Sequence, residues 1–377
     1  MAKQVKVAFF STYPPRECGI ATFTQDLITE LNKTQTVNAS VIAISDGPYC
    51  YESEVLFDIR QQEQGDYIAA AKELAKLDLD LLVVEHEYGI FGGKWGVYLL
   101  DLIEHTPIPI IATLHTVLTS PDDLQRRIVQ VLCQKSSKIV VMARNSAALL
   151  ADIYRVDPRK IEVIPHGVPH MDMPSRESLK REEGLEGRTV VSTFGLLSPG
   201  KGLEYGIRAI GKVAKKYPDV LYLILGQTHP VVKRQFGEQY RQSLENLVHE
   251  LGLEDNVHFV NRYLTKAEIL RYLKLSDIYL TPYLGQEQAV SGTLAYAAGC
   301  GRIAVSTPYA YAREMLADGS GLLAEFKDAD SIARHIQFLI ENPAARKEME
   351  EKTRYFGEQL FWDKVAQSYA DLFVAVA

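Results

Sequence analysis

Cysteine is scarce in this 377-residue chain, and the four present, Cys18, Cys50, Cys133 and Cys300, stand far apart with no CxxC pair. That spacing argues against a zinc site and gives no disulfide framework, so the thiols are expected to be reduced and intracellular. Positive charge is not in excess either: 41 Lys and Arg against 48 Asp and Glu leave a formal net charge of -7. Such a chain sets up no general field for nucleic acid, although a local basic strip would still be able to meet acidic lipid. Long apolar runs are also missing. The run Val5–Phe10 is too short for the core of a signal peptide, and nothing approaches the roughly 18 apolar residues of a spanning helix. Neither half opens with a strand followed by GxGxxG and an acidic residue about 20 positions later, which makes a dinucleotide oxidoreductase the least favoured class.

What is present is an ordinary globular composition, with 47% hydrophobic and 24% charged residues. The length exceeds what one core usually organises and favours two domains. Short apolar runs alternate with longer amphipathic stretches, the pattern of parallel sheets covered by helices on both faces. Strands are expected at Val5–Phe10, Ala39–Ile44, Leu81–Glu85, Pro109–Leu114, Ile139–Met142 and Ile161–Ile164. A polar, proline-containing stretch from His170 to Arg188 then breaks the pattern. Beyond it strands are expected at Thr189–Phe194, Leu221–Leu225, His258–Val260, Ile278–Thr281 and Ile303–Ser306. Phe361, Trp362, Val365, Tyr369 and Leu372 recur at helical spacing near the end. The expectation is a domain over 1–185, a second over 186–357, and a last helix over about 358–377 packing back on the first.

In open α/β sheets ligands bind outside the carboxyl ends of the strands, so the loops after the strands carry the candidates. After the first strand, STYPPRECGIATF sets Gly19 just ahead of a helical pattern, where backbone N–H groups suit an anion. After TVVSTF, Gly195, Gly200 and Gly202 surround Lys201 in near P-loop spacing, but Gly202 stands where Ser or Thr would hold magnesium. The segment TPYLGQEQAVSGTLAYAAGCG brings Ser291, Gly292 and Thr293 to a helix start, suited to a second phosphate, with Glu287 shortly before them. His115 and His166 each end an apolar run, where imidazole donates well to phosphate or sugar hydroxyls. His86 and Glu87 precede the glycine-rich YGIFGGKWG, an acceptor-side loop. Each candidate also has a plain structural reading: a loop glycine for Gly19, a solvated turn lysine for Lys201, a helix cap for Ser291, a solvated carboxylate for Glu287. Asp122-Asp123 lies beside a helix start and reads as capping rather than as a metal pair.

Taken in order, PPRECGIA, the TLH ending at His115, IPHGV, LLSPGKG and the helix running into AAGCG resemble the GT-B glycosyltransferases of family 4. The resemblance spans nearly the whole chain. It implies two Rossmann-like, doubly wound domains facing a central cleft, with the Trp362 helix crossing back to the first domain. It further implies a retaining transfer of a hexose from a nucleoside-diphosphate sugar, with UDP or GDP as the expected nucleotide. The acceptor is then a saccharide, a lipid-linked group or another hydroxyl compound. Lys201, Gly202 and Gly19 would meet the diphosphate, and His115 would lie near the transferred sugar. No metal and no separate cofactor are called for. The setting implied is polysaccharide or glycoconjugate synthesis in the cytoplasm, with peripheral contact at the inner face of a membrane left open.

Two positions depart from the family pattern. Leu196 stands where an arginine usually follows the glycine, and Leu294 replaces the second of two glutamates, within SGTLAYA. Gln286 occupies the first glutamate position, with Glu287 beside it as a one-residue substitute for contact with sugar hydroxyls. Arg262 is the expected replacement for the arginine, and the Ser291 and Thr293 hydroxyls supply a separate donor grip. A GT-B-like sugar phosphorylase or sugar-phosphate synthase, and a catalytically silent nucleotide-binding partner, remain as alternatives.

Overall fold

A computed structural model of the protein describes residues 4–377. The chain divides into two compact units, one running to Gly167 and taking in Phe361–Ala377, the other Val168–Leu360. The first unit holds strands β1 (Val5–Ser11), β2 (Val37–Ser45), β3 (Val55–Arg60), β4 (Leu81–His86), β5 (Ile110–Leu114), β6 (Lys138–Val141) and β7 (Ile161–Val163). They pair in parallel in the order β3-β2-β1-β4-β5-β6-β7. β4 and β5 are buried at every residue, because helices cover both faces of a parallel sheet, and so they read as unbroken apolar runs.

The second unit repeats the plan with β8 (Thr189–Phe194), β9 (Val220–Leu225), β10 (Val257–Val260), β11 (Ile278–Thr281), β12 (Ile303–Ser306) and β13 (Gly321–Leu323). Its order is β10-β9-β8-β11-β12-β13, again all parallel. In each sheet the order reverses beside the first strand, so the loops after β1 and β4, and after β8 and β11, part from one another. A crevice opens where that happens, at the carboxyl ends of those strands.

All the expected strands are present, and two more were missed. β3 alternates exposed and covered residues, and β13 is only three residues long. Both lie at sheet edges, where one-sided burial leaves no continuous apolar run. The division at Gly167 falls ahead of the boundary expected at 185/186. The reason is ionic: the helix Arg176–Glu182 is tied to its unit by Arg176 and Lys180, which both pair with the buried Asp277 at 3.3 and 2.5 Å.

The helix Trp362–Val376 turns Trp362, Val365, Ala366, Tyr369, Ala370 and Phe373 inward, the one-faced spacing of an amphipathic helix. That face packs on the helix Gly19–Leu31 of the first unit, and Phe373 meets Phe9 of β1 edge-on at 6.1 Å. Burial of a side chain such as Phe373 is worth about 1.5–3 kcal/mol, which holds this returning segment in place.

Candidate functional site

The second unit builds its candidate site from the loops after β8 and β11. Gly195 to Gly202 leaves β8, and Gly202 closes a 3-10 turn over Pro199–Lys201 in the left-handed conformation, φ 60 and ψ 29. A Cβ there would come within 2.2 Å of the Pro282 carbonyl oxygen, so only glycine allows the turn to sit this close to the β11 loop. Leu284 N–H donates to the Gly200 carbonyl at 3.0 Å and fastens the two loops together.

Lys201 is thereby carried across to Tyr283, where its Nζ lies 3.9 Å from the centroid of the ring. No carboxylate bonds this ammonium among the described residues. An aromatic face holds a cation by its quadrupole without cancelling the charge, so the ammonium is available to an anion. Tyr283 is itself fixed: its ring stacks on Tyr309 at 5.4 Å, and its hydroxyl shares a 2.8 Å hydrogen bond with Thr293 Oγ1. Lys201, Tyr283 and the start of the helix Gly292–Gly299 thus form one connected group.

Ser291 caps that helix, its Oγ accepting from Leu294 N at 3.3 Å, and it also lies 3.1 Å from Thr293 Oγ1. Ser291 is 3% exposed and its hydroxyl is engaged in capping, whereas Gly292 and Thr293 are half-buried at the helix start. Leu294 is 1% exposed, packed as an apolar residue. Glu287 is exposed on a loop clipped at both sides: Ala310 N donates to Gln286 O at 2.9 Å and Tyr311 N to Gln288 O at 3.1 Å. Arg262 is not brought to the lysine. It follows β10, two strands away from β8, and its guanidinium bonds Glu268, the carboxylate that completes a capping box with Thr265.

In the first unit, Gly19 opens the helix Gly19–Leu31, and the space where its Cβ would project is clear. The preceding loop is anchored by Arg16, which donates to Ile44 O and Gln61 Oε1 at 3.0 Å each. His115, after β5, pairs its Nε2 with Glu85 Oε2 at 2.8 Å, and Glu85 is wholly buried on β4. A carboxylate in that place fixes the ring orientation and, where Nε2 carries the proton, leaves Nδ1 as the nitrogen free to accept. Phe23 meets His115 edge-on at 4.9 Å, and also meets His166 and Trp362 at 5.1 Å each, which gathers these rings into one cluster. His166 Nδ1 lies 2.7 Å from Gly167 O, and burial holds its basicity down to about 4 despite that contact.

His86 and Glu87 part company at the end of β4. Glu87 is half-buried and accepts from Thr116 Oγ1 at 2.6 Å. His86 is fully buried between Phe91 and Tyr88, with neither ring nitrogen hydrogen-bonded. Burial, reinforced by His115, pushes it down to about 3, so it stays neutral and backs the loop rather than lining it. Glu85, Tyr283 and Phe23 are the residues that sequence reasoning missed. A carboxylate ending the apolar run LLVVE was the one visible signal, since an ionised group inside a sheet needs a partner. Among the described residues no His, Cys, Asp and Glu group is arranged to hold a metal ion, and no helix is long and apolar enough to cross a membrane.

Two family models match successive parts of the chain: one described as Glycosyltransferase Family 4 over residues 19–171, the other as Glycosyl transferases group 1 over residues 175–356. A Haemophilus influenzae protein described as an uncharacterized glycosyltransferase is 25% identical over 232 residues, 62% of this chain and 60% of the relative. The phosphatidyl-myo-inositol mannosyltransferase of Mycolicibacterium smegmatis is 28% identical over 245 residues, 63% of this chain and 58% of the relative. The matches thus span about 60% of the length of these curated relatives. The structure of Anabaena HepE in complex with UDP and glucose superimposes with a TM-score of 0.77 at 19% identity, covering 99% of this chain and all of that one.

Proposed function

The chain belongs to the family 4, group 1 glycosyltransferases and has their GT-B fold, and from that premise we propose that it moves a hexose from a nucleoside-diphosphate sugar to a hydroxyl acceptor with retention of configuration. The observation that carries the proposal is Lys201, an uncompensated ammonium held over Tyr283 beside the start of the helix Gly292–Gly299. As the sugar bond breaks, negative charge grows on the departing diphosphate. A fixed cation and helix-start N–H groups are already aimed where that charge develops, the arrangement that gives electrostatic catalysis its largest effect. Lys201, Gly202, Gly292 and Thr293 are the donor-binding residues in this reading. UDP is the favoured nucleotide, supported by the likeness to a protein solved with UDP and glucose.

His115 is the proposed catalytic group on the transferred sugar, oriented by Glu85, and Glu287 the proposed acceptor of hydrogen bonds from sugar hydroxyls. Glu287 is exposed and partnerless among the described residues, which suits a side chain that meets its ligand only on binding. The acceptor falls to the first unit, near Glu87. A lipid-linked acceptor is supported by the relative described as a phosphatidyl-myo-inositol mannosyltransferase, and a saccharide remains the other acceptor class in this reading. One observation favours a second reading, transfer to inorganic phosphate as in a sugar phosphorylase: the buried Leu294 offers no carboxylate to a ribose. A melting screen with nucleotides tests the donor assignment. A ligand at 100 times its dissociation constant stabilises by about 2.7 kcal/mol, so UDP or GDP raises the melting temperature. Stabilisation by neither, with stabilisation by inorganic phosphate or a sugar 1-phosphate, would move the account to the second reading.

A further inference from the structure

The loop after β4 contains a feature that donor chemistry does not use. Trp95 is 41% exposed, yet its side chain is held in place. Its indole Nε1 donates to Asp122 Oδ2 at 2.7 Å, and Asp122 is itself fixed by the capping box it forms with Gln125. The backbone of Trp95 sits at φ 58 and ψ 20, a left-handed conformation that a large side chain adopts only when its surroundings impose it.

The chain leading to it is tightly held. Gly92 N–H donates to the buried Tyr67 hydroxyl at 2.8 Å, and Gly93 N–H to Gln62 Oε1 at 3.3 Å. Gln61 Nε2 holds the Gly89 and Phe91 carbonyls at 3.1 and 3.3 Å. A Cβ at Gly92 would stand 1.9 Å from Gln61 O, so this packing is closed to any other residue. Phe91 plugs the loop into the core, stacked on Phe10 at 5.8 Å.

A folded chain gains nothing in stability by bending its backbone to keep an indole in water. With the one polar atom of the ring already bonded to Asp122, what is left facing solvent is apolar aromatic surface. That surface lies on a loop at the carboxyl end of β4, where the strand order reverses and ligands bind. The aromatic face is electron-rich and suits partners that present weakly positive C–H groups. A pyranose ring has such a face, while its hydroxyls need acceptors. Asp122, at hydrogen-bond distance from the indole itself, and Glu87 on the same loop supply carboxylates.

We propose that Trp95 is the stacking platform of a saccharide-binding site on the first unit, with Asp122 as a hydroxyl partner, and that the acceptor is therefore a pyranoside rather than a simple polyol or lipid hydroxyl. Naming that saccharide as the acceptor rests on the glycosyl-transfer reading; the platform itself does not. The protein has two tryptophans, and Trp362 is only 4% exposed, so acrylamide quenching of the intact protein reports chiefly on Trp95.

The test titrates methyl α-D-mannopyranoside, methyl α-D-glucopyranoside and maltose, with glycerol and myo-inositol as polyol controls. At least one pyranoside should lower the quenching constant twofold or more, and the polyols should leave it unchanged. Trp95→Ala should raise KM for an accepted pyranoside tenfold or more, and Trp95→Tyr, which keeps an aromatic face, should raise it less. The proposal is overturned if no pyranoside protects the tryptophan, if the polyols protect it equally well, or if a pyranoside that is glycosylated leaves quenching unchanged. Protection without transfer from any nucleotide-sugar would uphold the platform and defeat the transferase reading, so the two failures are separable.

Discussion

Replacing Lys201 with alanine separates a structural lysine from a ligand-binding one. In the unliganded protein its ammonium lies over the Tyr283 ring, 3.9 Å from the centroid. A half-exposed cation–π contact of this kind is worth about 0.5–1 kcal/mol, so the variant should melt only a few degrees lower. The loss on binding is larger. A charge-assisted contact to phosphate contributes roughly 1.5–3 kcal/mol, and each 1.4 kcal/mol is about tenfold in affinity, which puts the weakening for UDP or GDP at about 10- to 150-fold. Titration calorimetry on both proteins gives the affinity, and melting without ligand gives the structural share. Tyr283→Phe keeps the ring but not the Thr293 contact, and should weaken binding less than Lys201→Ala. If Lys201→Ala melts lower yet binds nucleotide within twofold of the parent protein, the lysine serves only the turn and the reasoning fails.

Further outcomes follow from the same geometry. Gly202→Ala places a Cβ 2.2 Å from Pro282 O in a left-handed turn, and should cost at least about 1–2 kcal/mol and lower the melting temperature by several degrees, with nucleotide affinity falling alongside; an unchanged melt would show that the turn relaxes freely. His86 is held down to about 3 when folded, against about 6.5 when unfolded. Below pH 6.5 the unfolded chain therefore binds a proton that the folded one refuses, and stability falls as pH drops from 6.5 towards 3, by about 2 kcal/mol at pH 5. His86→Phe should flatten that fall in melting curves between pH 7 and 5, and a slope equal to the parent's would contradict it. Glu287→Gln should alter which sugar is accepted in competition assays more than it alters affinity for free nucleoside diphosphate; unaltered sugar preference would remove Glu287 from the site.

The layers of this fold were readable because parallel strands buried on both faces leave unbroken apolar runs, as in Leu81–Val84. β3 and β13 were not, since edge strands need no such run. The Lys201 turn was visible from its glycines, which the left-handed Gly202 requires. Its partner Tyr283 was not, because a tyrosine after a strand has an ordinary core reading and the contact joins loops far apart in sequence. Position alone suggested Arg262, yet Thr265 and Glu268 already spell a capping box, and that carboxylate takes the guanidinium. The pairing of His115 with Glu85 depends on the adjacency of β4 and β5, which only the sheet order supplies.

The central claim is glycosyl transfer with retention, and the direct measurement follows both products of one reaction. The protein is incubated with an α-linked UDP- or GDP-hexose and a pyranoside acceptor, while proton NMR reads the new anomeric signal and the nucleotide is assayed alongside. The account predicts free nucleoside diphosphate in equal amount to a new α-glycoside. A β-glycoside would contradict retention. A hexose 1-phosphate formed only with inorganic phosphate, or no loss of any nucleotide-sugar, would contradict the assignment of this chain as a transferase.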